Sequence, residues 1–476
     1  MKRMITLSSS LCISWLLYSA HLPGGNITYE CLGNNQFEVT LTLFRDCGGS
    51  PLLAQELHFS SSCGTSFTLS ALPVGVGEEV SQLCPADLPN STCNGGTLPG
   101  IEVYRVQTTV TLSPCNSWTI GWDECCRSNS LNLSGDPGTY VEAWLNNVSS
   151  PCNDSPQFTQ DVIPYVCVNE EVNYNLAVTE TDGHELRYRL IAARQFMPPI
   201  AAPYADGNTG EEPYPGLAID SLSGQITFTP DMIGNVIVVV RVDEYNGNGS
   251  HVGSVMRDFP FVVIDCPNSP PDPASGQITG LVGDTINVPD QQITLCPGGG
   301  FCFDITITDP DQGQQLTLIS NVGSVLPGAS FVTSGSAPAT ATICWEQADL
   351  AAGTHTFVVS AEDDACPNTG LTTFTYSITM LPDTNAACVS TAVIGIPDRN
   401  RPRVWPSPAS DGLYVDHSFN GPVELRIFDP QGRQVLQKQI DSTTSMIDIS
   451  HLSPGIHLVQ LISTEGRSET RIAIAR

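Results

Sequence analysis

Sixteen cysteines follow Cys12, and with eight histidines and forty-nine acidic residues they are the side chains with the most chemistry to offer. An even number of cysteines in an exported chain reads as a disulfide framework. Zinc is the competing chemistry, but its usual C-x-x-C anchor does not occur. Cys125 and Cys126 are adjacent and precede Arg127, a cation that could activate a thiolate. No histidine lies near them in sequence, so they read instead as two structural half-cystines pairing in different directions. The chain has no H-E-x-x-H, no G-x-S-x-G and no phosphate-binding loop. Its histidines are scattered, and a Ser or Cys nucleophile would have to borrow His58, His184, His251 or His355 across modules. A glycosidase needs only two carboxylates, which so acidic a chain keeps open.

Charge is unevenly placed. Residues 398–476 hold nine acidic and nine basic residues, whereas residues 24–397 hold forty acidic and eight basic ones. Such a surface should repel nucleic acid and anionic membranes, which argues against both as partners. It serves either solubility outside the cell or the binding of divalent cations. The first 23 residues, with Lys2 and Arg3 ahead of an apolar run, read as a secretory signal peptide cut between Ala20 and Gly24. No later segment is apolar for long enough to span a bilayer.

The elements that must position these groups are strands. Gly and Pro make roughly a sixth of the chain, no helical period is sustained, and Val, Thr and Ser abound. The length suits about three domains, and the expected fold class is all-β, in tandem sandwich modules with disulfides. Residues 24–156 form a cysteine-rich β module, opening with Phe37, Val39, Leu41 and Leu43 in alternation. Trp118, Trp122 and Trp144 either fill its core or line a carbohydrate-binding face. Residues 157–266 and 275–388 read as two copies of one sandwich, since fifteen residues separate Cys167 from Asp182 and Cys296 from Asp311. Cys167 with Cys266 would clip the ends of one copy, and Cys302 with Cys344 would join neighbouring strands of the other; the remaining connectivity is open. Pro267–Pro273 reads as a stiff linker. A second linker, 386–403, carries Arg399, Arg401 and Arg403, where a protease could cut. Residues 404–476 are a small β module: Val423, Leu425 and Ile427 alternate before a turn at Asp429–Gly432, Ile447 and Ile449 lie on a further strand, and Ile456, Leu458 and Leu461 on the last apolar run.

Three resemblances attach to these motifs. The order Trp405-Pro406-Ser407-Pro408-Ala409, then the Asp429–Gly432 hairpin, then the run through His457, resembles the C-terminal sorting domain of type IX secretion cargo in Bacteroidetes. That implies recognition of residues 404–476 by the type IX machinery and delivery outside the cell or onto its surface. The opening GGNITYE with EVTLTLFRDC resembles the N-terminal module of gliding-motility-associated surface proteins. The two copies resemble cadherin-like and immunoglobulin-like repeats of bacterial adhesins, in which an acidic turn and a later strand end can hold Ca2+. Carried over, Asp309 and Asp311 on the turn and Asp363 and Asp364 at the strand end are the implied Ca2+ ligands, with Asp182 and Asp243 a weaker set. The same D-P-D-x-G could equally be a turn written in its preferred residues.

The expected function is that of a secreted or cell-surface adhesive or structural protein with no catalytic activity, meeting a surface polysaccharide or other surface proteins. The alternatives are a secreted glycosidase-like hydrolase and a carbohydrate-binding cargo.

Overall fold

The computed structural model describes residue 22, residues 24–388 and residues 403–475, except 128, 136, 284, 288–290, 347–349, 386, 418, 420, 430, 441–443 and 464–465. The segment read as a signal peptide, apart from Leu22, and the 386–403 linker with its expected cleavage site, apart from Ala387, Cys388 and Arg403, therefore lie outside the described residues. The chain divides into two compact units, Met1–Val389 and Ser390–Arg476. Nearly every element is a strand.

The two copies share one topology. In the first, strand Tyr165–Cys167 runs parallel to His251–Ile264, which pairs in a hairpin with Gly234–Tyr245, which in turn pairs with Glu185–Leu190. In the second, Gln292–Leu295 runs parallel to Leu371–Met380, which pairs with Gly353–Glu362, which pairs with Thr317–Ser320. The facing sheets correspond as well: Val172–Asn175, Gln225–Phe228 and Ala218–Ile219 stand where Phe301–Ile307, Ala339–Trp345 and Ser330–Gly335 stand. In each copy a disulfide ties the residue ending or following the parallel strand to the end of the module, Cys167–Cys266 and Cys296–Cys388.

The expected boundary near residue 156 does not separate two bodies. Strand His251–Ile264 is long enough to serve both: Gly253–Val255 pair with Ala143–Leu145 of the first module, and Gly25 pairs with Asp258. A fourteen-stranded sheet thus runs through both modules, and one apolar core spans them, from Ile27 and Phe37 to Val238 and Phe261. The reason lies in the strand itself, which is buried on both faces from Val252 to Phe261, whereas an edge strand would expose a row of unpaired backbone groups. Across this joint Arg127 forms a bidentate pair with Asp258, both Nη atoms 2.5 Å from the carboxylate and both side chains buried.

Pro267–Pro273 is not a free spacer either. Asn268 is buried, Thr372 donates to the Pro271 carbonyl at 2.6 Å, and the Asp272 amide donates to Thr308 at 2.9 Å. The third module keeps its own core around Phe303, Ile343, Phe357 and Tyr376. It docks on the rest through Gln82 to the Thr369 carbonyl at 2.6 Å, Asn175 to Thr375 at 3.0 Å and Gln160 to Ser360 at 2.6 Å.

The sixteen cysteines downstream of Cys12 form eight disulfides. Cys167–Cys266 and Cys302–Cys344 pair as the sequence suggests. Cys84–Cys366 crosses between modules. Cys125 and Cys126 do not pair in different directions; they are bonded to each other.

In the second unit, Arg403–Trp405, Gly412–Asp416 and Thr444–Asp448 form one sheet, and Gln434–Ile440, Val423–Phe428, Gly455–Ser463 and Gly466–Ile474 the other. Leu413, Leu425, Ile447, Val459 and Ile472 make its core. Of the last apolar run Leu461 is buried, whereas Ile456 faces solvent and His457 takes a buried place. The alternation of the strand puts His457, Val459 and Leu461 inward together.

Candidate metal centres and the sorting module

The four aspartates of the third module share one end of it. Asp309 and Asp311 follow strand Phe301–Ile307, and Asp363 and Asp364 follow Gly353–Glu362. Asp363 is buried: Oδ1 accepts from the amides of Ala365 at 2.9 Å and Gly370 at 2.8 Å, and Oδ2 accepts from Asn268 at 2.7 Å. Asp311 accepts from the Ser269 amide at 2.7 Å, and Asp364 from that of Gln315 at 2.8 Å. These bonds are the turn chemistry that Asp supplies. They do not exhaust the site. Asp309 Oδ2 and Gln314 Oε1 are inaccessible and have no partner. Burial, reinforced by Asp363, Asp311 and Asp364, pushes the Asp309 carboxyl up to about 6 against the bond from the Asp311 amide. Orphaned oxygens among repelling carboxylates fit a hard cation, although no three of these ligand atoms gather as tightly as those of a second cluster.

That cluster lies in the second module. Glu180, Asp182, His184 and Glu244 each offer a ligand atom, all within 4.8 Å of one another. The Glu180–His184 turn, with Gly183 at φ 77°, is closed by Glu180, whose two oxygens accept from the amides of Asp182 at 2.6 Å and His184 at 2.7 Å. Glu244 enters from strand Gly234–Tyr245, fully buried, with His184 Nδ1 2.6 Å from its Oε1. Gly253 leaves room for it, since a Cβ there would stand 2.3 Å from Glu244 Oε2. Asn153 Nδ2 donates to Glu244 Oε2 at 2.7 Å, and the Asp154 amide donates to Asp182 at 2.7 Å. Burial pushes Glu180 up to about 7, opposed by its two amide donors, and raises Glu244 against its bonds from His184 and Asn153. The bond to Glu244 raises His184 in turn.

Asp243, expected beside Asp182, is elsewhere. Adjacent residues of a strand face opposite ways, so Asp243 points away from Glu244 toward Arg189 at 2.9 Å, Arg241 at 2.7 Å and His251 at 3.2 Å. Although burial opposes it, His251 and the two arginines hold its carboxyl below the usual range. The signal missed in the sequence was the neighbour Glu244, a buried carboxylate next to Asp243 at the end of the strand. Trp118 and Trp122 are core residues and Trp144 stacks on His251 with centroids 4.5 Å apart.

In the second unit the Trp405–Ala409 opening is pinned to the last strand: the Ala409 amide donates to Ala473 at 2.8 Å, the Ala475 amide to Ala409 at 3.0 Å, and the Ala473 amide to Ser407 Oγ at 3.2 Å. Trp405 stacks on Tyr414. Asp429 closes the hairpin turn by accepting from the amides of Gln431 and Arg433. A two-sheet module with this opening defines an export label rather than a working domain.

Residues 403–475 match the secretion system C-terminal sorting domain. The chain is therefore a type IX secretion cargo, delivered to the cell surface or the extracellular space. No curated protein matches it. Among solved structures it is similar to the CupB2 chaperone of Pseudomonas aeruginosa (10% identity, 41% of this chain and 100% of that one, TM-score 0.15). It is also similar to the FN1-FN3 domains of chicken CNTN1 (8%, 68% and 99%, TM-score 0.15) and to the N-terminal eight Ig domains of Down Syndrome Cell Adhesion Molecule (10%, 95% and 49%, TM-score 0.17).

Proposed function

We propose that this cargo is a non-catalytic adhesive or structural protein of the cell surface. The observation that carries the reading is the bracing of residues 24–388. A shared sheet joins the first two modules, and the Cys84–Cys366 disulfide with its flanking hydrogen bonds fastens the third to them. Such bracing suits a protein that must hold its shape while bearing load outside the cell, where disulfides persist. The partner in this reading is a surface polysaccharide or another surface protein, with gliding-associated proteins the nearest functional setting. Ca2+ belongs to the same proposal: Asp309, Asp311, Asp363 and Asp364 would hold it, and it would supply a rigid clamp between the 267–273 segment and the third module.

The test is binding of the purified full-length chain to whole cells and to isolated surface polysaccharide, with and without millimolar Ca2+. Saturable binding with no change in the glycan supports the reading. Turnover of a glycan or peptide, abolished by replacing one carboxylate, would overturn it.

A further inference from the structure

We propose that Glu180, Asp182, His184 and Glu244 form a binding site for a first-row transition dication of the Zn2+ or Mn2+ class, distinct from the calcium cluster of the third module and independent of the adhesive reading.

The geometry comes first. Four ligand atoms from two elements lie within 4.8 Å of one another. That is about the span between opposite ligands of a cation with bonds of roughly 2.0–2.4 Å. The charge count comes second. Three carboxylates face a single imidazole; among the described residues no Arg or Lys pairs with any of the three. Buried charge of one sign is costly unless a counter-ion meets it. The third observation is independent of both. Asn153 is fully buried, its amide is directed at Glu244 through Nδ2, and its Oδ1 has no hydrogen-bond partner. An orphaned carbonyl oxygen on an amide bonded to the one fully buried carboxylate of the cluster is what a cation would satisfy.

The ligand types choose among ions. Ca2+ takes oxygen, whereas one imidazole nitrogen with carboxylates suits Zn2+ or Mn2+. Binding through His184 nitrogen requires that nitrogen to be unprotonated, so uptake of the ion releases protons. The location gives the site a role. Asp154 lies two residues after Cys152, whose disulfide to Cys31 anchors the first module, and the Glu180–His184 turn belongs to the second. An ion here would tie the turn to Glu244 and, through Asp182 and Asp154, to the first module.

The experiment is equilibrium dialysis of the full-length chain against ZnCl2 and, separately, MnCl2, each with and without millimolar Ca2+. One ion per chain in the micromolar range, retained in Ca2+, is expected. His184→Gln and Asp182→Asn, both on the partly open side of the site, should weaken binding about tenfold or more, while Asp309→Asn leaves it unchanged. Because Glu244→Gln could fail to fold, the two turn variants decide, each checked for an unaltered thermal transition in chelator. Wild-type chain that takes up neither ion in the micromolar range, turn variants that bind as wild type does, or displacement by Ca2+ would overturn the assignment.

Discussion

Cys84 and Cys366 are bonded with Cα atoms 5.3 Å apart although 282 residues separate them, and the Cys84 amide donates to the Pro367 carbonyl at 3.0 Å beside them. The bond closes the longest loop of any disulfide in the chain, so it restricts the unfolded ensemble strongly. Replacing both cysteines by Ser should cost about 2–4 kcal/mol. It should also split unfolding into separate transitions, because the third module has its own core. Calorimetry checks this; a single unshifted transition would show that the docking hydrogen bonds alone hold the module.

Arg127 and Asp258 are a different kind of joint, buried and bidentate, with Arg127 Nε also donating to the Gly138 carbonyl at 2.9 Å. Removing one member leaves a buried charge, so Arg127→Met should destabilise the first two modules by about 3–5 kcal/mol. The double replacement of Arg127 and Asp258 by apolar residues should recover much of that loss. Denaturant melts of the three variants measure it, and a single variant within about 1 kcal/mol of wild type would contradict this account.

Much of this was legible in sequence, for identifiable reasons. The strand alternation of Phe37 to Leu43, the spacing from Cys167 and Cys296 to their acidic turns, and the Trp405–Ala409 opening are local signals, and local signals survive translation into structure. What was not legible depended on partners far along the chain. The sharing of His251–Ile264 between two modules, the Cys84–Cys366 bond and the docking of Asn268 on Asp363 each join residues some 95 to 282 positions apart. The second-module cluster was half legible: Asp182 marked the turn, but choosing Glu244 rather than Asp243 required knowing which way the strand faced.

Gly370 stands against the carboxylate it supports. A Cβ there would lie 2.3 Å from Asp363 Oδ2 and 2.9 Å from Pro270 Cα, and the latter is backbone that has little freedom to retreat. Gly370→Ala should therefore cost about 1–3 kcal/mol and loosen the 267–273 segment. Faster amide exchange at Ser269 and Asp272 is the expected signature; unchanged exchange would mean that Asn268 and Thr372 hold the segment without Asp363.

The sorting module makes a cellular prediction. Deleting residues 404–476 should leave the cargo inside the envelope, and Asp429→Ala, which removes the acceptor for the Gln431 and Arg433 amides, should reduce export by destabilising the hairpin. Immunoblots of medium, surface and cell fractions measure both. Surface delivery of the truncated chain would show that export does not depend on this module.

The last prediction concerns pH, and its sign follows from Glu180. Its carboxyl sits near 7 in the fold, raised by burial and by Glu244, against the ordinary 4.5 of an unfolded chain. Between those values the folded chain holds more protons than the unfolded one, so stability falls as pH rises through the window. His184, raised by Glu244, loses stabilisation in the same direction as it deprotonates, and Asp309, near 6, adds to the trend. Asp243 and Asp220, held low, lose their stabilisation only in more acidic solution and do not reverse it. In chelator at fixed ionic strength, the full-length chain should melt at a higher temperature near pH 5 than near pH 7.5, and Glu180→Gln should flatten the slope. A midpoint that climbs across that interval would mean the cluster is relieved in the fold by groups other than His184 and Asn153.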